Sequence, residues 1–117
     1  MRWIVSGLLC AFFANASQGA IVRLRNAEVL TLLYDDENFG YCMAKVSPAP
    51  SSVSSDCKTD WVTFSCSGDY NPKSVGQTKY DLAQLAYVVG KRLDLKLETT
   101  ELHNDFCFAT RVDVIDP

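Results

Sequence analysis

The stretch Lys79-Tyr80-Asp81-Leu82-Ala83-Gln84-Leu85-Ala86-Tyr87-Val88-Val89-Gly90-Lys91-Arg92-Leu93-Asp94-Leu95-Lys96-Leu97-Glu98 changes its hydrophobic period halfway along. Leu82, Leu85, Ala86 and Val89 fall at i, i+3, i+4 and i+7, the spacing of one helix face. Thr78, with Asp81 three residues on, reads as a capping-box start. Gly90 followed by Lys91-Arg92 reads as a stop with positive charge at the helix's negative end. These signals predict a helix over residues 79–89. After Gly90 the period drops to two: Leu93, Leu95 and Leu97 alternate with Arg92, Asp94, Lys96 and Glu98, a strand with one buried face.

Everything around this pair reads as β. Residues 21–34 are β-branched and leucine-rich with interleaved polar side chains, a first strand with a bulge. Asp35-Asp36-Glu37-Asn38-Phe39-Gly40 is turn chemistry leading to a second strand over 41–46. Two prolines and a serine run make residues 47–56 an exposed loop, and residues 61–66, in which Val62, Phe64 and Cys66 alternate with Thr63 and Ser65, read as a third strand. Past the helix–strand pair, His103-Asn104-Asp105 reads as a hairpin tip, with His103 a surface residue, and alternation from Phe106 to Ile115 gives a last strand. The order β-β-β-α-β-β, mainly β with one helix, matches a five-stranded OB-type barrel; an α+β sandwich would use the same order. Residues 21–117 then form a single OB-like domain.

Residues 1–20 have the form of a secretory signal peptide: Arg2, an apolar run to Ala14, then small residues, with cleavage after about residues 16–20 and Cys10 lost with the leader. Asn15 and Gln18 break the apolar run too early for membrane insertion. The expected location is secreted or periplasmic. The whole chain has 11 basic and 14 acidic side chains in 117 residues, a net charge of −3, which argues against a nucleic-acid partner. Cys42, Cys57, Cys66 and Cys107 remain in the mature chain and read as two disulfides. Four cysteines admit three connectivities. The expectation is Cys42–Cys57 with Cys66–Cys107, because the first would close the Ser/Pro-rich loop beside a strand.

No pattern of catalysis or metal binding stands out. There is no C-x-x-C pair and His103 is the single histidine, so a zinc site is not expected; Asp35, Asp36 and Glu37 lack the spacing of a calcium loop. The serines sit in a loop with no nucleophile elbow, so neither an enzyme nor a cofactor is expected. Surface recognition is left. Hydroxyls at Ser51, Ser52, Ser54 and Ser55, the rings of Tyr41, Trp61, Tyr70 and Tyr80, and the Arg111 guanidinium suit a saccharide, whose apolar face stacks on aromatics. The site expected from these residues is Tyr41, the four serines and Arg111, with Trp61 assigned mainly to the core.

Tyr41-Cys42, a serine-rich loop to Cys57, Trp61, and the Tyr80-x-x-Ala83-x-x-x-Tyr87 helix running into Gly90 and a strand resemble the B subunits of bacterial AB-type toxins of the subtilase and pertussis-like kind. The resemblance covers residues 41–97. It implies an OB-type fold, a homopentamer, binding of sialylated or other host cell-surface glycans, and a toxic A subunit as partner. Residues 65–72 look inserted relative to that pattern, and no individual sugar-binding residue carries over. Ring assembly would pair the edges of residues 29–34 and 106–114. The competing expectation is an exported periplasmic inhibitor or immunity protein whose negative charge steers it to a basic toxin or enzyme. A monomeric module without a toxin link is the third.

Overall fold

The computed structural model describes residues 20–117; residues 1–19, on which the signal-peptide expectation and Cys10 fall, lie outside the described residues. Five strands form a closed barrel in the order β1-β2-β3-β5-β4, with one helix, α1, between the third and fourth. They are β1 (Ile21–Tyr34), β2 (Cys42–Ser47), β3 (Trp61–Thr63), β4 (Arg92–His103) and β5 (Phe106–Ile115). This is the OB-type arrangement expected from the element order.

β1 serves two neighbours because it bends. Ile21 to Glu28 pair with β4 and Glu28 to Tyr34 with β2, and the register shifts between Leu24 and Ala27 and again between Val29 and Thr31. Asn26 takes a positive φ of 55° at the first bulge, a conformation that asparagine tolerates better than most residues. Inside the barrel, Leu24, Val46, Val62, Phe64, Leu93, Leu95 and Leu97 are buried with Tyr80, Ala83 and Ala86 of the helix.

The helix spans Lys73–Val89, six residues longer at its start than the periodicity predicts. Pro72 is its N-cap, while Thr78 lies inside it, its hydroxyl donating to the Ser74 carbonyl at 2.9 Å. The first turns escape the apolar pattern because the residue they bury is Gly76. A Cβ there would stand 2.8 Å from the carbonyl oxygens of Phe64 and Ser65. Gly90 closes the helix at φ 75°, as its sequence position indicates.

β3 is shorter than expected, three residues instead of six, and meets β5 through the single pair Thr63↔Phe108. Beyond that pair the helix fills the gap. Lys79 Nζ donates to the Ala109 carbonyl (3.1 Å) and to Asn71 Oδ1 (2.8 Å), and sits 4.6 Å from the Phe108 ring centroid. An edge carbonyl that β3 no longer reaches is thereby satisfied.

The disulfides correct the expected pairing. Cys42 joins Cys66 and Cys57 joins Cys107, so neither bond closes the serine loop on itself. Both instead bracket β3: one ties β2 to the segment after it, the other ties the segment before it to β5. The sequence separations of 24 and 50 correspond to about 3.5 and 4 kcal/mol in the chain-entropy model. Two disulfides mark an oxidising compartment, extracellular or periplasmic. Among the described residues no helix is long and apolar enough to cross a membrane.

Trypsin places the four cysteines on separate peptides, residues 26–45, 46–58, 59–73 and 97–111. A non-reducing digest read by mass spectrometry should show 26–45 linked to 59–73 and 46–58 linked to 97–111. A 26–45/46–58 link would contradict the fold at the β3 seam.

Candidate functional site

On the outer face of β2 and β3 the register sets Leu33 opposite Met43 and Met43 opposite Thr63, with Lys45 opposite Trp61 in the next row. Leu33, Met43 and Trp61, with Phe39 from the β1–β2 loop and Phe106 after the β4–β5 turn, line an apolar groove of about 170 Å³. Met43 forms a buried floor, outside the barrel core, while the other four are half-buried walls. The Phe39 and Phe106 rings meet edge to face at 5.9 Å. Lys45 and Asp60 pair at 3.7 Å beside the groove, and Lys58 Nζ lies 5.2 Å from the Phe106 centroid, so charged hydrogen-bonding groups rim the rings.

The other side of the β1–β2 loop faces a second, polar cleft of about 300 Å³, lined by Glu37, Asn38, Tyr41, Ser67, Asp69 and Asn104 together with His103. The loop is held between the two by backbone. Thr63 Oγ1 donates to the Phe39 carbonyl (2.7 Å), and the Asp35 N–H to the Tyr41 carbonyl (2.8 Å). Gly40 lies against the His103 ring so closely that a Cβ would stand 2.5 Å from its Cδ2, and Gly40 has φ 71°.

His103 is therefore no surface residue: its side chain is 14% exposed. Its Nε2 is 3.0 Å from Ser65 Oγ and 3.7 Å from Asp69 Oδ2, and the Tyr70 ring packs against it, tilted by 48° with centroids 4.7 Å apart. Ser65 Oγ also accepts the Tyr70 N–H (3.2 Å), and the histidine tautomer sets which of Oγ and Nε2 donates to the other. Burial pushes His103 below the ordinary histidine range, and the Asp69 carboxylate offsets this only in part. A serine, a histidine and an aspartate thus meet, but the carboxylate and the hydroxyl address the same nitrogen and Ser65 is fully buried. A triad needs the carboxylate on the opposite nitrogen and a hydroxyl that substrate can reach. What this cluster can do is fasten the β4–β5 hairpin to the segment after β3.

The residues expected to form one site are not gathered. Tyr41 lines the polar cleft, and its ring sits 6.2 Å from that of Tyr34. Arg111 lies in a separate depression on β5, and neither place is lined by Ser51, Ser52, Ser54 or Ser55. Two of those hydroxyls serve their own loop: Ser52 Oγ donates to the Ala49 carbonyl, and Ser54 Oγ accepts the Asp56 N–H. Tyr80 is core and Tyr70 is half-buried, its hydroxyl donating to the Leu102 carbonyl (2.6 Å). Trp61, assigned to the core from sequence, stands instead on the outer face. Its parity carried the signal: with Val62 and Phe64 inward, Trp61 points outward, as does Met43 between Cys42 and Ala44. Among the described residues no group of three His, Cys, Asp or Glu side chains is placed to hold a metal ion.

Comparison of the chain with protein-family models, with curated proteins and with solved structures found no match.

The depressed His103 titration fixes a sign. Because the unfolded chain binds the proton more readily, this contribution to stability is complete above the ordinary histidine pKa of about 6.5 and is lost as pH falls below it. The urea midpoint should drop more between about pH 7.5 and about pH 5 in the wild type than in His103→Gln. Equal drops would remove the histidine from the account.

Proposed function

We propose that this chain is an exported, non-catalytic saccharide-binding protein that uses the outer face of β2 and β3. The observation that carries the reading is the apolar groove walled by Trp61, Phe39 and Phe106 and rimmed by Lys45, Lys58 and Asp60. OB-type barrels bind oligosaccharides and oligonucleotides on the face of strands two and three between the 1–2 and 4–5 loops, and the groove lies there. The net charge of −3 disfavours the oligonucleotide. Aromatic walls suit the C–H face of a pyranose, and charged rim groups suit its hydroxyls.

Within this reading the chain is a receptor-binding B subunit of an AB-type toxin, assembling as a homopentamer on host glycans. Such a ring needs apolar surface to cover, and α1 offers it: Val75, Leu85, Val88 and Val89 are exposed, Val88 at 77%. A soluble monomer gains nothing from an apolar helix face in water.

Glycan-array screening followed by calorimetry tests the groove. Trp61→Ala should weaken saccharide binding about tenfold or more, a loss of roughly 1.4 kcal/mol, with the circular dichroism unchanged. Unaltered affinity would contradict the assignment. Light scattering should give the mass of five protomers; a monomer that binds no glycan but captures a basic exported toxin or enzyme would favour the inhibitor reading.

A further inference from the structure

The depression around Arg111 belongs to a different face of the barrel and has its own chemistry. Across β1, β4 and β5 the register sets Arg23 opposite Lys96 and Lys96 opposite Arg111. Neighbouring strands lie about 4.8 Å apart, so three cations share one row roughly 10 Å long. All three point outward, since Leu24, Leu95, Leu97 and Val112, their neighbours along the strands, are buried. Like charges directly opposite one another cost the sheet stability.

The nearby carboxylates do not cancel the row. Asp113 Oδ1 accepts from Arg111 Nε at 2.8 Å, which leaves the guanidinium's terminal nitrogens free to donate elsewhere. Asp94 accepts the Asn26 N–H at 2.8 Å and stands 4.0 Å from Arg25. Among the described residues Arg23 and Lys96 have no carboxylate within salt-bridge reach. Four cations thus face two carboxylates in a protein that is acidic as a whole.

We propose that this row is a site for a tetrahedral oxyanion, the sulfate or phosphate ester of a substituted saccharide. The depression itself has room for about 10 Å³, no more than one water, so the ester group would lie on the row at the surface, with its sugar ring outside. Three donors on three strands match the three terminal oxygens of an ester, whereas a carboxylate offers two coplanar oxygens that a single arginine satisfies. Asp94 and Asp113 on the same face, with the acidic remainder of the surface, repel a continuous polyanion such as nucleic acid or an anionic bilayer. The choice of a saccharide as carrier rests on the function proposed above; the oxyanion site itself does not.

The test follows the arginine Nε–Hε resonances by NMR at constant ionic strength, titrating sodium sulfate against sodium chloride. Glucosamine 6-sulfate, glucose 6-phosphate and glucuronate are titrated next. Sulfate and at least one ester should shift the Arg111 and Arg23 signals and saturate, the tighter ester naming the natural substituent, while glucuronate should bind at least tenfold more weakly. Lys96→Ala should weaken sulfate and ester binding about tenfold with the fold intact, and Trp61→Ala should leave both unchanged. Equal responses to chloride and sulfate, glucuronate matching the esters, or unaltered affinity in both Lys96→Ala and Arg23→Ala would overturn the proposal. Saturable sulfate binding without any saccharide binding at Trp61 would overturn the groove alone.

Discussion

Closure of the barrel at the seam between β3 and β5 is the constraint on which the rest of the molecule depends. Hydrogen-bonded ladders hold β1, β2, β4 and β5 along most of their lengths, but β3 is three residues long and joins β5 at one pair. So short a strand cannot hold a barrel shut through its own backbone. Three devices share the task. Cys57–Cys107 crosses the seam covalently, Cys42–Cys66 fixes the far end of the β3 segment to β2, and Lys79 supplies a donor where the ladder has run out. The Lys58 N–H donating to the Asp105 carbonyl adds one more tie between the approach to β3 and the β4–β5 turn.

The candidate site inherits its geometry from this seam. Trp61 opens β3 and Phe106 opens β5, so the distance between those two groove walls is set by how the strands are tied together. Phe39 reaches the groove because its loop is pinned from both sides, by Thr63 on β3 and by the contact of Gly40 with His103 on β4. The Ser65–His103–Tyr70 cluster is best understood in the same terms. It buries three polar side chains partly or wholly, each with a partner, in a place where they lock a hairpin to a loop that has no ladder of its own. Such satisfied networks favour one arrangement over its neighbours.

The sequence was legible where local physics decides the outcome. Alternation in Leu93, Leu95 and Leu97, turn formers from Asp35 to Gly40 and the stop at Gly90 each act within a few residues, and the element order read from them led to the barrel. It was illegible where the deciding partner is remote. The start of α1 was hidden because its buried residue is Gly76, which has no side chain to register as apolar and is required by the backbone of residues 64–66. The disulfide pairing depends on which segments flank β3 in space, and proximity along the chain pointed to the wrong partners. His103 resembled a turn residue because nothing local shows that Gly40 and Ser65 will enclose it. Trp61 and Met43 were readable from strand parity, yet the groove also needs Leu33, Phe39 and Phe106, which only the register brings alongside them.

The central claim is that the seam is the weakest part of a closed barrel and is held by covalent bonds. Native-state amide hydrogen exchange on the Cys57→Ala/Cys107→Ala protein tests it most directly. The amides of Thr63 and its neighbours across the seam, Phe108 and Ala109, should then exchange through local opening, well before those of Leu24 and Leu95 in the β1–β4 ladder. Uniform exchange across both regions, at the rate of global unfolding, would contradict the claim and place the stability of the barrel in its ladders instead.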